Sequence, residues 1–260
     1  MTVASLLSKW AAKLRRKFGK KLDPNHVTLP EALRWFEERR PGYEELASHL
    51  APYLPPDGVL FDIGSNIGFF TKVLAEKTGF RGKALLFEAV PNLAALSRRT
   101  LSDAAFRFEV FPCRLGDKNE TLFMHTSKDG NIGWNTFVSE KAGPGMAETR
   151  VDVKVFDEMG VRETPSVLKI DVEGSEYRVI RGMMKSLASW NPKPVILCEL
   201  SWGKKHPHWE EQAEVLRSLS ALGFDLCRLD GSRILPEQVH EEQVTTDYLF
   251  LPEGRAFLAP

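Results

Sequence analysis

The chain has 260 residues, with 35 Lys+Arg against 35 Asp+Glu, a formal charge of zero and a pI of about 7.0. That balance excludes a protein that grips nucleic acid through a basic surface over its whole domain. With 43% hydrophobic and 27% charged residues it is no disordered polyelectrolyte, and at this length one core closes without staples.

Residues 1–21 carry Lys9, Lys13, Arg15, Arg16, Lys17, Lys20 and Lys21 and no acid. The segment is therefore +7, and since the total is zero the remainder is −7. Leu7, Trp10, Ala11, Leu14 and Phe18 recur at helical spacing, which predicts a basic amphipathic helix. Its favoured role is to pack the apolar stripe on the domain with the charges in water. The alternative is peripheral contact with an anionic membrane surface or an acidic partner. Pro24, Pro30 and Pro41-Gly42 punctuate the next stretch, with helices predicted over 31–39 and 43–53 before the turn at Pro55-Pro56-Asp57-Gly58. Residues 1–54 thus form an N-terminal helical extension to a domain over 55–260.

From Val59 the pattern alternates: strand 59–63, helix 68–77, strand 84–88, helix 93–101, strand 106–111. Residues 112–155 interrupt it with Gly116-Asp117, Asp129-Gly130-Asn131 and Gly143-Pro144-Gly145, a β-rich insertion suited to substrate contacts. Strand 166–172, helix 176–187, strand 194–199 and helix 208–222 resume the rhythm, and strands 224–229 and 248–251 close it as an antiparallel pair. The expectation is α/β, a doubly wound, mostly parallel sheet with crossover helices. Cys113, Cys198 and Cys227 are odd in number and widely spaced, so neither a disulfide framework nor structural zinc is expected. A reducing, cytoplasmic setting is the simplest reading. No apolar run reaches the roughly 18 residues of a membrane span.

The sharpest local signal is Asp62-Ile63-Gly64-Ser65-Asn66-Ile67-Gly68, where a strand hands over to a helix. Gly64 and Gly68 clear the backbone for a ligand, and Ser65 and Asn66 lie between them. The spacing is GxxxG and not the GxGxxG of a pyrophosphate site. Glu88 ends the next strand about 20 residues on, where an acid accepts ribose hydroxyls. Asp62 is a candidate for a cofactor ammonium, and Asp117 for an adenine amino group. Together these favour S-adenosylmethionine over a tight turn flanked by solvated acids. Farther on, Val167-Leu168-Lys169-Ile170-Asp171 runs into Val172-Glu173-Gly174-Ser175-Glu176. Two carboxylates then stand at the ligand-binding edge of a central strand, although helix capping by acids is common. Lys169, in an apolar strand, demands a partner.

In these segments, FDIGSNIGFFT, FEAVPN, LGD, LKIDVEGSEYRVIRG and ILCEL, the chain resembles the FkbM-type S-adenosylmethionine-dependent methyltransferases from about Val59 to Leu251. The resemblance implies the class I methyltransferase (Rossmann-like) fold, with a seven-stranded sheet whose last strand is antiparallel. It also implies methyl transfer, usually to an oxygen of a sugar, polyketide or related small molecule. Glu88-Ala89-Val90-Pro91 departs from the family's usual Glu-Pro, and residues 201–208 match nothing family-wide, so the acceptor does not carry over.

Proton removal from an acceptor hydroxyl falls to Asp171, Glu173, Glu199, His206 or His208. One route uses a carboxylate or histidine without metal, and is favoured. The other uses Mg²⁺ held by Asp171 and Glu199. His206 and His208 flank Pro207, poor spacing for a zinc pair, and each also reads as an exposed loop histidine. Trp134, Trp202 and Trp209 are stacking or packing candidates. A small hydroxylated or glycan acceptor leads. Methylation of RNA or protein, and a membrane-peripheral protein without catalysis on the same fold, are the alternatives.

Overall fold

The computed structural model describes residues 22–126, 131–133, 135–136, 147–200, 203–241 and 245–260. The predicted basic helix over 1–21, Trp134, Ser201-Trp202 and the Gly143-Pro144-Gly145 turn lie outside the described residues. Two helices open the described chain, α1 (Leu29–Glu37) and α2 (Arg40–Leu50). Both start earlier than their sequence signals. Thr28 and Glu31 form a capping box, with Glu31 Oε2 taking the Thr28 N–H at 3.1 Å. Pro41 opens α2 instead of breaking the chain, because proline lacks only an N–H that the first turn leaves unpaired anyway.

The alternating segment gives β1 (Val59–Ile63), α3 (Phe69–Thr78), β2 (Lys83–Phe87), α4 (Pro91–Thr100) and β3 (Arg107–Phe111). The insertion is a four-stranded sheet of β4 (Arg114–Leu115), β5 (Glu120–Thr126), β6 (Asn135–Thr136) and β7 (Ala147–Lys154), in the order β4-β7-β5-β6. Next come β8 (Val167–Ile170), α5 (Glu176–Arg181), α6 (Met184–Ser189), β9 (Val195–Leu200), α7 (Trp209–Ala221), β10 (Phe224–Arg228), α8 (Pro236–Val239) and β11 (Thr246–Pro252). The single helix expected over 176–187 is two, broken at Gly182. A Cβ on Gly182 would lie 2.0 Å from the Gly116 carbonyl oxygen, so the chain must pass close there. Asp157 then caps α6 by accepting the Lys185 and Ser186 N–H groups, each at 2.9 Å.

The main sheet has seven strands in the order β10-β11-β9-β8-β1-β2-β3. All pairings are parallel except those of β11, which inserts antiparallel between β9 and β10. Two apolar layers cover its faces. Leu60, Leu86, Val167, Leu197 and Leu249 pack under α1–α4. Phe61, Phe87, Leu168, Ile196 and Phe250 pack with residues of α5–α7 such as Tyr177, Leu187 and Leu216. This is the period-2 alternation of strands buried on both faces. Among the described residues no helix is long and apolar enough to cross a membrane, and all three cysteines are buried free thiols.

Candidate active site

The same alternation decides where the polar residues go. In β1, Asp62 shares a face with Leu60; in β8, Lys169 shares it with Val167; in β9, Glu199 with Leu197; in β11, Asp247 with Leu249. All therefore point toward the α1–α4 side. Register makes them neighbours, with Asp62 opposite Lys169, Lys169 opposite Leu197, and Asp247 opposite Glu199. Because β11 runs antiparallel, its first residues lie at the edge where the parallel strands end.

Lys169 finds the partners its burial demands. Its Nζ is 2.9 Å from Asp171 Oδ2 and 3.9 Å from Asp62 Oδ1. Burial works to lower its pKa, but Asp171 and Asp62 outweigh it and the ammonium is held charged, its pKa above the usual value. Asp62 is fully enclosed and accepts the Thr71 hydroxyl at 2.7 Å, with burial pushing its pKa up. It sits beneath the site, with Lys169 between it and Asp171.

The glycine turn folds tightly over this row. Gly64 has φ +82°, and a Cβ there would lie 1.8 Å from the Asp171 carbonyl oxygen, so the turn rests on the β8 end with no space for a side chain. Gly64 and Ser65 both donate to the Phe87 carbonyl, at 2.9 and 3.1 Å. Gly68 serves packing: a Cβ there would press on Ser97 Oγ at 2.8 Å. Glu88 closes the turn from β2, its Oε2 accepting the Asn66 N–H at 2.8 Å and its Oε1 the Val90 N–H at 2.7 Å. Burial pushes this carboxyl up to about 7 in spite of both donors.

Beyond β8 the loop 172–175 is fastened from two sides. Glu176 Oε1 accepts the Val172 and Gly174 N–H groups at 3.1 and 3.0 Å. His206 is buried and its Nε2 is 2.8 Å from the Gly174 carbonyl. Its Nδ1 accepts the His208 N–H at 3.0 Å, which leaves the proton on Nε2 to be donated to Gly174. Both ring nitrogens are thus engaged in holding the loop. The result is a left-handed Glu173 at φ +58°, a strained conformation for a side-chain-bearing residue that persists because its surroundings over-determine it. Glu176 thus serves the N–H groups of the loop, while the start of α5 at Ser175 has no side-chain cap.

One cleft brings together Gly64, Asn66, Glu88, Asp171 and Glu173, with Cys113, Arg114, Leu115, Met124 and Gly133 as further walls. Of the other sequence candidates, Asp62, Ser65, Gly68, Glu199 and His206 stand behind this lining, and Asp117 is turned to Arg178, whose Nε lies 2.7 Å from its Oδ1. His208 is exposed, 3.2 Å from Glu211. Trp209 packs near His240, ring centroids 5.8 Å apart. Carboxylate oxygens of Asp171, Glu173 and Glu199 lie within 4.8 Å of one another. Burial first, then Asp171 and Glu173, push Glu199 well above the usual carboxylate range. Burial and Asp171 push Asp247 up to about 7. Asp247 carried no sequence signal, since only the position of β11 between β9 and β10 brings it to this edge.

The family model described as Methyltransferase FkbM domain matches residues 62–226. Over 157 residues the chain is 28% identical to the hexuronic acid methyltransferase AglP of Haloferax volcanii, a match spanning 58% of this chain and 60% of that protein. The crystal structure of methyltransferase FkbM from Methylobacillus flagellatus aligns with a TM-score of 0.51 at 17% identity, over 94% of this chain and 58% of that one. The chain therefore spans about three fifths of the length of each.

Proposed function

We propose that this chain, which belongs to the FkbM methyltransferase family, transfers a methyl group from S-adenosylmethionine to a hydroxyl of a sugar, a glycan or a related small molecule. The observation that carries this reading is the cleft at the strand ends, where the Gly64 turn, the Glu88 carboxyl and the left-handed Glu173 converge. The cleft fits the cofactor: a carboxyl ends β2, the edge is rich in acids, and a pyrophosphate fingerprint is missing from the turn. When bound, S-adenosylmethionine supplies a methyl group on a cationic sulfonium.

Glu88 accepts the ribose hydroxyls with the lone pairs its two backbone donors leave over. Cys113, Arg114 and Leu115 wall the adenine end, with Asp117 one step beyond and tied to Arg178. The carboxylates favour positive charge at the transfer point. Glu173 is the base that takes the acceptor's proton: it lines the cleft at the strand ends, on a loop fixed from both sides. His206 and Glu176 are positioning residues that keep Glu173 in line. Lys169, its ammonium 2.9 Å from Asp171 and 3.9 Å from Asp62, offsets part of the clustered negative charge, and on this reading transfer proceeds without Mg²⁺. The hexuronic acid in the name of the Haloferax relative supports a glycan acceptor.

The test is isotope-labelled methyl transfer from S-adenosylmethionine into metabolite and cell-envelope extracts, with and without EDTA. Label in a carbohydrate fraction, undiminished by EDTA, is expected. Calorimetry showing no cofactor binding would refute the reading, and loss of transfer in EDTA would return Asp171 and Glu199 to the role of metal ligands.

A further inference from the structure

Asn66 lies between Gly64 and Gly68, where the sequence offers it as a cofactor contact. Its backbone is left-handed, φ +51°, and its N–H goes to Glu88. Its side chain is engaged elsewhere. Nδ2 donates to the Ile132 carbonyl at 2.8 Å, 66 residues along the chain and inside the β-rich insertion. Oδ1 is closed off from solvent, so the amide offers the cleft no acceptor. The segment it holds is a wall of that cleft, lined by Gly133 together with Met124 of β5. Ile132 is fully buried in the apolar layer that also contains Met124, Ile67 and Phe36. A Cβ on Gly133 would lie 3.3 Å from Trp35 Cη2, so α1 backs the wall closely.

The insertion is fastened at other points as well. Arg178 of α5 reaches Asp117 and Glu120, each at 2.7 Å. Asn25, ahead of α1, donates to Thr126 Oγ1 at 3.1 Å and accepts from Thr149 Oγ1 at 2.9 Å. These contacts tie the insertion to α5 and to the N-terminal extension. Neither reaches the glycine turn; the bond from Asn66 to Ile132 does. A glycine would meet the left-handed φ equally well, so the shape of the turn does not by itself call for the amide. We propose that Asn66 is a positioning residue for the acceptor: its amide keeps the 131–133 wall seated at the cleft, so that the acceptor hydroxyl meets the methyl group in line, and its side chain takes no part in holding the cofactor. The proposal rests on the methyl-transfer reading above. It makes the glycine turn and the insertion one mechanical unit.

The test is Asn66→Gly in the full chain, which keeps the left-handed turn and the N–H to Glu88 and deletes the amide. Calorimetry is expected to find S-adenosylhomocysteine affinity within about threefold of the unaltered chain, while hydrogen exchange in peptides covering 131–133 speeds up by about three- to tenfold, the loss of one hydrogen bond. In transfer assays the half-saturating amount of the carbohydrate fraction that accepts label is expected to rise by a similar factor, with that of S-adenosylmethionine unchanged. Asn66→Asp, which keeps the shape and loses the donor, is expected to speed exchange alike, and decides the matter if the glycine variant does not fold. Unchanged exchange overturns the assignment. So does a loss of S-adenosylhomocysteine affinity beyond about threefold, which would return Asn66 to the cofactor. If the unaltered chain neither binds S-adenosylhomocysteine nor labels a carbohydrate, the methyl-transfer reading fails, whereas the exchange result still shows whether Asn66 holds the wall.

Discussion

Glu88→Ala separates the cofactor site from the turn that frames it. The Glu88 carboxylate is 6% exposed and accepts two backbone N–H groups, Asn66 at 2.8 Å and Val90 at 2.7 Å. Truncation leaves both without their acceptor. An unsatisfied buried donor costs about 1–3 kcal/mol, and water entering from the cleft can serve Asn66, so the stability loss should stay near one such penalty. Binding should suffer more. Two ribose hydroxyls donating to a charged group contribute about 1.5–3 kcal/mol each, so S-adenosylhomocysteine affinity should fall by roughly 10² to 10⁴-fold. Glu88→Gln retains the shape and one acceptor oxygen and should fall between. Calorimetry gives the affinities, and urea unfolding shows that each variant is folded under the binding conditions. A Glu88→Ala protein that is folded and binds within twofold of the unaltered chain would refute the assignment.

The pKa shifts set the sign of a pH effect on the ligand-free protein. Glu88 and Asp247 have folded pKa values of about 7, above their ordinary values of 4.5 and 3.8, so the native state keeps protons that the unfolded chain releases. Stability therefore falls as pH rises from about 4 to 7 and levels off above, by up to about 3 kcal/mol from Glu88 alone. The urea midpoint should be higher at pH 5 than at pH 8, with a smaller difference in Glu88→Gln; a midpoint that rises with pH contradicts the burial argument. Gly64→Ala must place a Cβ 1.8 Å from the Asp171 carbonyl oxygen at φ +82°, so it should destabilise by about 3 kcal/mol or more and weaken cofactor binding. An unaltered melting curve would show that the turn is not seated on β8. His206→Ala should lower the transfer rate about 10- to 100-fold by loosening the loop that aims Glu173. Its pH–rate profile should keep its shape, because His206 donates to Gly174 and does not take the substrate proton. A lost acidic limb would identify it as the base instead.

The boundary between what is legible in the sequence and what is not matches the range of the interactions. The strand–turn–helix at Gly64, the acid closing β2 and the Asp171–Glu173 pair closing β8 are local events, set by the steric needs of a turn and by the alternation of apolar residues. So is the need of Lys169 for a partner, since an apolar strand buries it wherever it lies. Pro41 is ambiguous in the sequence because proline looks the same whether it ends one helix or opens the next. The destination of each polar side chain is decided by tertiary structure. Asp62 and Asp171 both end apolar strands, yet α3 seals the first while the second opens on the cleft. Asp117 comes after a strand as expected but is drawn to Arg178 of a helix 61 residues away. Asp247 reaches the site because β11 inserts antiparallel between two parallel strands. Pairing between distant strands and packing between distant helices leave no periodicity in the chain. The acids offset by the N-terminal basic segment are therefore visible in the sequence as a sum of charge, and only the fold shows which of them face a ligand.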